Sequence, residues 1–142
     1  MKLDGQVCGL QYSKQLKEIG VNAESYFFWC TDDNRTYYVD SPETYPMDAH
    51  YPPPKLIFNA YTVTELLGLL PHLYKEESID EYNKQSTRYF PLTLVKHEGR
   101  YTAGMGTEGN GSIGFFADTA ADALARLLIH CIEQKIIDLS DK

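Results

Sequence analysis

The residues able to do chemistry are three cysteines and four histidines, because a thiolate beside an imidazole is a nucleophile–base pair and either side chain can ligate a metal. Cys8, Cys30 and Cys131 lie far apart with no Cys-x-x-Cys pair, which excludes a zinc ribbon and a secreted disulfide framework. His50, His72, His97 and His130 form no His-x-x-x-His pattern. His130 and Cys131 are adjacent on a helical stretch, so they point about 100° apart and do not face each other. Gly104-Met-Gly106-Thr-Glu-Gly109 fits the G-x-G-x-x-G pattern. A dinucleotide site needs that turn to open a helix, and here a strand-like run follows, so the glycines read as a hairpin connection. Asp32-Asp33-Asn34 lacks the alternating ligands and the glycine of a calcium loop and reads as a turn. No catalytic residue, cofactor or metal ligand is assigned on this basis.

Aromatic and acidic residues are the more unusual feature. The chain has eleven tyrosines and one tryptophan, and Tyr26-Phe-Phe-Trp-Cys30 is aromatic on both faces of an extended strand. That requires a central strand or a covered outer face. The aromatic residues are either core or a groove for a partner, with Trp29, Tyr45 and Tyr51 as the contact candidates. Glu76, Glu77, Asp80 and Glu81 form an acidic cluster that is either a solubilising surface or a docking site for a basic partner.

Composition narrows the classes. The 142 residues suit one domain, 1–142, and 43% hydrophobic with 23% charged content is a globular balance. Twenty acidic against thirteen basic residues give a net charge of −7, and the four arginines are scattered. Direct nucleic-acid binding needs clustered cations and is not expected. No apolar run approaches a membrane span, and Met-Lys-Leu-Asp-Gly-Gln lacks the apolar core of a signal peptide, so a reduced cytoplasmic setting is expected.

These side chains must be positioned by short elements. Gly9–Ile19 reads as a helix closed by Gly20, with Val21 placed to contact Leu16 in a Schellman motif. Residues 26–31 and 36–40 read as a hairpin. Residues 42–54 hold five of the seven prolines and read as an extended surface loop. Thr62 stands three residues before Glu65, a capping box, and Pro71 ends the helix that follows. Residues 74–88 fit a short helix or a loop, anchored by Ile79 and Tyr82. Residues 90–96, 101–105 and 112–117 suggest an antiparallel meander, and Asp118 or Thr119 caps a last helix reaching about residue 136. The order α-β-β-α-β-β-β-α implies an α+β fold with one antiparallel sheet of about five strands and helices mainly on one face. Ile129 and Ile137 widen the apolar surface of the last helix, to be covered by the proline-rich loop or a second subunit.

Ser13-Lys-Gln-Leu-Lys-Glu-Ile-Gly-Val21 with Tyr26-Phe-Phe-Trp29, then Ala60-Tyr-Thr-Val-Thr-Glu-Leu-Leu-Gly-Leu-Leu-Pro71, then Phe116-Ala-Asp-Thr-Ala-Ala-Asp-Ala-Leu-Ala-Arg-Leu-Leu-Ile-His-Cys-Ile132 form an ordered set. The set resembles a family of small uncharacterised proteins from phages and mobile elements of gut bacteria. The resemblance brings a genomic setting but assigns no activity, and its shared residues, caps and core positions, are a fold signature rather than an active-site signature. The functional expectation is an accessory protein acting by protein–protein interaction or self-association as a homodimer. The alternative is a small enzyme or small-molecule binding module whose site is assembled from distant residues.

Overall fold

The computed structural model describes residues 5–31, 36–41, 55–71, 73–79, 81–105 and 113–137. The first helix, α1 (Leu10–Glu18), ends as its local sequence dictates. Gly20 takes φ 99°, the Gly20 N–H donates to the Lys17 carbonyl at 3.1 Å, and the Val21 N–H donates to the Leu16 carbonyl at 2.9 Å. Those two bonds are the Schellman pair, and they turn Val21 into the core beside Leu16. The other end of α1 lacks a side-chain cap of its own. The Gly9 N–H donates instead to Asp122 Oδ1 at 2.6 Å, across 113 residues of sequence.

Strands β1 (Phe27–Thr31) and β2 (Tyr37–Asp40) form the expected hairpin, with Trp29 opposite Val39. A third strand, β3 (Lys55–Ala60), follows the proline-rich stretch and pairs antiparallel with the other side of β1. β1 is therefore the centre of a three-stranded sheet in the order β2-β1-β3, which accounts for its two aromatic faces. Helix α2 (Val63–Leu69) carries the full capping box. Thr62 Oγ1 accepts from the Glu65 N–H at 3.3 Å, and Glu65 Oε1 accepts from the Thr62 N–H at 2.9 Å.

The second half begins with β4 (Leu73–Ile79) and the thirteen-residue β5 (Gln85–His97), then β6 (Arg100–Met105) and β7 (Ile113–Ala117). All pairs are antiparallel in the order β4-β5-β6-β7. The expected single sheet of about five strands is thus replaced by two sheets of three and four strands. The cause is β1, whose two edges are both filled by β2 and β3, so it has no edge left for the later strands. The α+β class stands. Residues 74–88, read as helix or loop, instead supply β4, a turn and the start of β5.

Helix α3 (Ala120–Glu133) is capped by Thr119 and fills the centre of the molecule. One side of it lies on β6 and β7, and the other meets α1 and α2. The main core joins Leu16, Leu66, Leu70, Met105 and the α3 residues Leu124, Leu127 and Leu128. Ile129 and Ile137 are buried within this single chain, so the widened apolar surface of α3 needs no second subunit to cover it. A smaller cluster sets Val7, Trp29 and Ala60 against Leu10, Phe27, Tyr37, Val39 and Phe58. No described helix is long and apolar enough to cross a membrane.

Candidate functional site

The cysteines are held as small apolar groups rather than nucleophiles. Cys8 is fully buried, its Sγ 3.3 Å from Ser13 Oγ, and desolvation pushes its pKa up. Burial alone raises Cys131 to about 11. Cys30 is equally enclosed. A thiol held protonated is a poor nucleophile. His97 is exposed beside Glu98, and His130 leans on the Phe115 ring with centroids 5.1 Å apart. His50 and His72 lie outside the described residues. Among the described residues, no group of three or more His, Cys, Asp or Glu side chains is placed to hold a metal ion. Gly104 sits inside β6, where a Cβ would overlap the Ile113 carbonyl oxygen, so close strand approach explains it without a phosphate.

The contact candidates divide sharply. Trp29 is buried in the smaller cluster, and its indole N–H donates to the Cys8 carbonyl at 3.1 Å. Its ring therefore acts as core, not as an exposed anchor. Tyr45, Tyr51 and Asp80 lie outside the described residues. Glu76 and Glu77 fall on β4, in register with Arg88 and Thr87 of β5. Glu81 is exposed in the turn that joins the two strands.

Those last residues belong to a projecting element. β5 pairs with β4 only through residues 85–91 and with β6 only through residues 92–97. Among the described residues, the only extensive contact β4 makes is with β5. The result is a two-stranded arm whose turn and adjoining residues 81–86 are all exposed. Asn83 takes φ 64° in that turn, a conformation that asparagine tolerates better than most residues. Ile79 is 68% and Tyr82 78% exposed, so the two anchors expected to pin this segment down point into solvent.

The concave surfaces lie elsewhere. An open cavity of about 240 Å³ is lined by Ser13, Lys17, Val21, Asn22, Phe28, Phe58, Asn59 and Tyr61. Hydrogen bonds fix the Tyr61 and Asn59 side chains. The Tyr61 hydroxyl donates to the Ala23 carbonyl at 2.7 Å, while Asn59 Nδ2 donates to that carbonyl and Asn59 Oδ1 accepts from Ser25. Lys17 Nζ stands 5.2 Å from the Phe58 ring centroid, and Lys14 Nζ stands 5.5 Å from that of Tyr37. These are cation–π contacts at the rim of the cavity, and Asp40, opposite Phe28 in the sheet, places a carboxylate residue on the same side of β1.

A shallower groove of about 570 Å³ runs between the start of α1 and the end of β7, with Arg100, Arg126, Asp118 and Asp122 on its walls. Its charges are already engaged. Arg126 donates to the Phe116 carbonyl, Arg100 lies 3.8 Å from Asp118, and Asp122 accepts from Gly9. The cavity residues come from α1, the segment after it, β1 and β3, and no spacing in the sequence relates them. The arm had a visible signal, a polar acidic run with two isolated apolar residues, whose meaning depended on strand pairing.

No family model matches the chain, and neither a curated protein nor a solved structure is significantly similar to it.

Proposed function

We propose that this chain is an accessory protein of a phage or mobile element that works by protein–protein contact, without catalysis, and that the β4–β5 arm is its contact element. The observation that carries the reading is the exposure of Ile79 and Tyr82 at the end of an arm whose only extensive contact, among the described residues, is between its own two strands. A lone two-stranded hairpin is marginally stable in water, and a partner would remove that cost while burying both side chains. The carboxylates of the same segment, with Glu81 exposed among them, would speed encounter with a cationic surface and add little to final affinity.

The test is a tagged pull-down from host lysate with a salt series, comparing the natural chain with a variant carrying Glu81→Lys and Tyr82→Ala. A stoichiometric partner that is released at moderate salt and absent from the variant supports the reading. A partner retained equally by both overturns the arm as the contact element.

A second reading, a small-molecule binding module, is favoured by the 570 Å³ groove, whose volume is within the usual range for ligand sites. A ligand that binds the native state must raise its melting temperature. A thermal-shift screen in which one compound class stabilises the natural chain but not Arg126→Ala would favour this reading over the first.

A further inference from the structure

Among the described residues four strands lie at a sheet edge, and three of them are poor templates for a further strand. β2 has only four residues, β3 carries an extra residue, Ile57, where its register with β1 breaks, and the Phe116 carbonyl of β7 is taken by Arg126. Short edges, bulges and covering side chains are the usual protections against strand addition. β4 is the longest of the four, its seven residues pair with β5 in unbroken register, and it contains no proline. Among the described residues its other edge pairs with no strand. We propose that β4 pairs along this edge with β4 of a second copy, antiparallel about a twofold axis, joining two arms into one four-stranded sheet. This rests on the reading of the arm as a contact element and names its partner.

Backbone geometry limits the registers open to such a pair. Along a strand, successive residues turn their N–H and C=O groups to opposite sides, so only every second residue of β4 faces away from β5. In an antiparallel pair the residues that exchange hydrogen bonds stand directly opposite each other. For two identical strands these facts together require the twofold axis to pass through a residue and not between two. Only an axis at Glu76 pairs all seven residues: Leu73 with Ile79, Tyr74 with Ser78, Lys75 with Glu77, and Glu76 with itself.

In that register the sequence of β4 complements itself. An axis at Lys75 sets lysine against lysine, one at Glu77 sets glutamate against glutamate, and each pairs fewer residues. The axis at Glu76 instead sets Lys75 opposite Glu77 and Leu73 opposite Ile79, each twice by symmetry. Its one like pair, Glu76 with Glu76, falls between the two Arg88 positions, because Arg88 is the β5 partner of Glu76. Opposite charges across strands stabilise a sheet and like charges weaken it. Ile79, 68% exposed in one copy, comes opposite an apolar residue of the other. Three or more strands are needed for a sheet to be stable by itself, so each arm supplies strands that the other lacks. A twofold pair uses the same edge of both copies and closes the assembly at two chains.

The experiment is mass measurement by light scattering across a concentration series, on the full chain and on Lys75→Glu, Glu77→Lys and the Lys75→Glu/Glu77→Lys double variant. Circular dichroism confirms that each is folded. Within one chain positions 75 and 77 stand opposite Tyr89 and Thr87, so the reversals set no like charges directly against each other inside the arm. The expected result is a natural chain at twice its 16.2 kDa mass. Each single reversal should weaken the dimer by about tenfold, since symmetry turns two opposite pairs into two like pairs at once. The double variant should regain the dimer, because the exchanged charges again oppose each other. On mild oxidation Glu76→Cys should become a disulfide-linked dimer, because this position faces itself at a separation that a disulfide spans. Ser78→Cys, which faces Tyr74 of the other copy, should not.

A dimer that neither reversal weakens, a double variant no tighter than either single one, or equal crosslinking at positions 76 and 78 overturns the proposal. A natural chain that stays at 16.2 kDa throughout overturns it too. In that last case a photoreactive residue at position 79, exposed to host lysate, separates the two ideas. Crosslinking to a different protein removes self-pairing and keeps the arm as a contact element, and no crosslink removes both.

Discussion

Residues 85–91 and 92–97 belong to one strand, β5, yet they work under different conditions. The second stretch pairs with β6 in the sheet that α3 covers, and Leu92 packs against the main core. The first pairs with β4 and, among the described residues, with no other strand, and it leads to an exposed turn. Pairing satisfies the backbone in both halves, so hydrogen bonding does not distinguish them. Packing on the body does. Leu92 ties the second stretch to the main core even though residues 94–97 are exposed, and residues 85 and 86 of the first stretch are exposed beside the turn. The comparison separates a stretch tied to the core through Leu92 from one tied, among the described residues, chiefly to β4.

Replacing Leu128 by Ala should give the largest contrast. Leu128 is 1% exposed inside the main core, so urea denaturation should show a loss of about 2–5 kcal/mol. A loss below about 1 kcal/mol would mean that α3 is not the centre of the fold.

Alkaline pH should have a smaller effect, and it belongs to the core alone. Burial holds Cys131 protonated to about pH 11, above its ordinary value of 9.0. The folded state therefore binds the proton more tightly than the unfolded state does. Stability is fully present below pH 9 and should fall between pH 9 and 11. Cys131→Ala should reduce that slope in part, since Cys8 and Tyr61 are shifted upward as well. An unchanged slope in denaturation measured across this window would remove Cys131 as a contributor.

The smallest effect should come from the arm. Ile79→Ser removes a large apolar side chain from a 68% exposed site, and monomer stability should change by less than about 0.5 kcal/mol. A loss comparable to that of Leu128→Ala would show that the arm packs on the body and would erase the contrast.

How much of this was legible in the sequence depends on how local the cause is. The Schellman closure at Gly20 and the Thr62–Glu65 box involve residues within about five positions of each other and both read correctly, and of the two caps open for the last helix, Asp118 and Thr119, the structure uses Thr119. β3 was missed because Lys55–Ala60 has no turn partner beside it. Its strand character comes from pairing with β1, nearly thirty residues earlier. The arm was unreadable for a related reason. Alternation marks a strand only where apolar and polar residues take turns, and Lys75-Glu-Glu-Ser78 and Gln85-Ser-Thr-Arg88 are unbroken polar runs in which no such period can appear. Trp29 illustrates the same limit at a candidate site, since sequence allowed core or contact and the Val7 and Ala60 neighbours decide for core. The cavity residues could not be grouped at all, because their proximity is produced by the fold.

The position of α3 has a consequence for how the chain is made. Synthesis is vectorial, and the helix that fills the middle of the core is the last of the described elements to leave the ribosome. Until residues 120–133 have emerged, the main core lacks Leu124, Leu127 and Leu128, and α2 and the inner face of β6 and β7 lack the helix they pack on. The Gly9 amide likewise waits for a carboxylate that is translated 113 residues later. A nascent chain halted before residue 120 would keep the small cluster between α1 and the first sheet but leave the inner face of β6 and β7 uncovered, the kind of intermediate that chaperones retain.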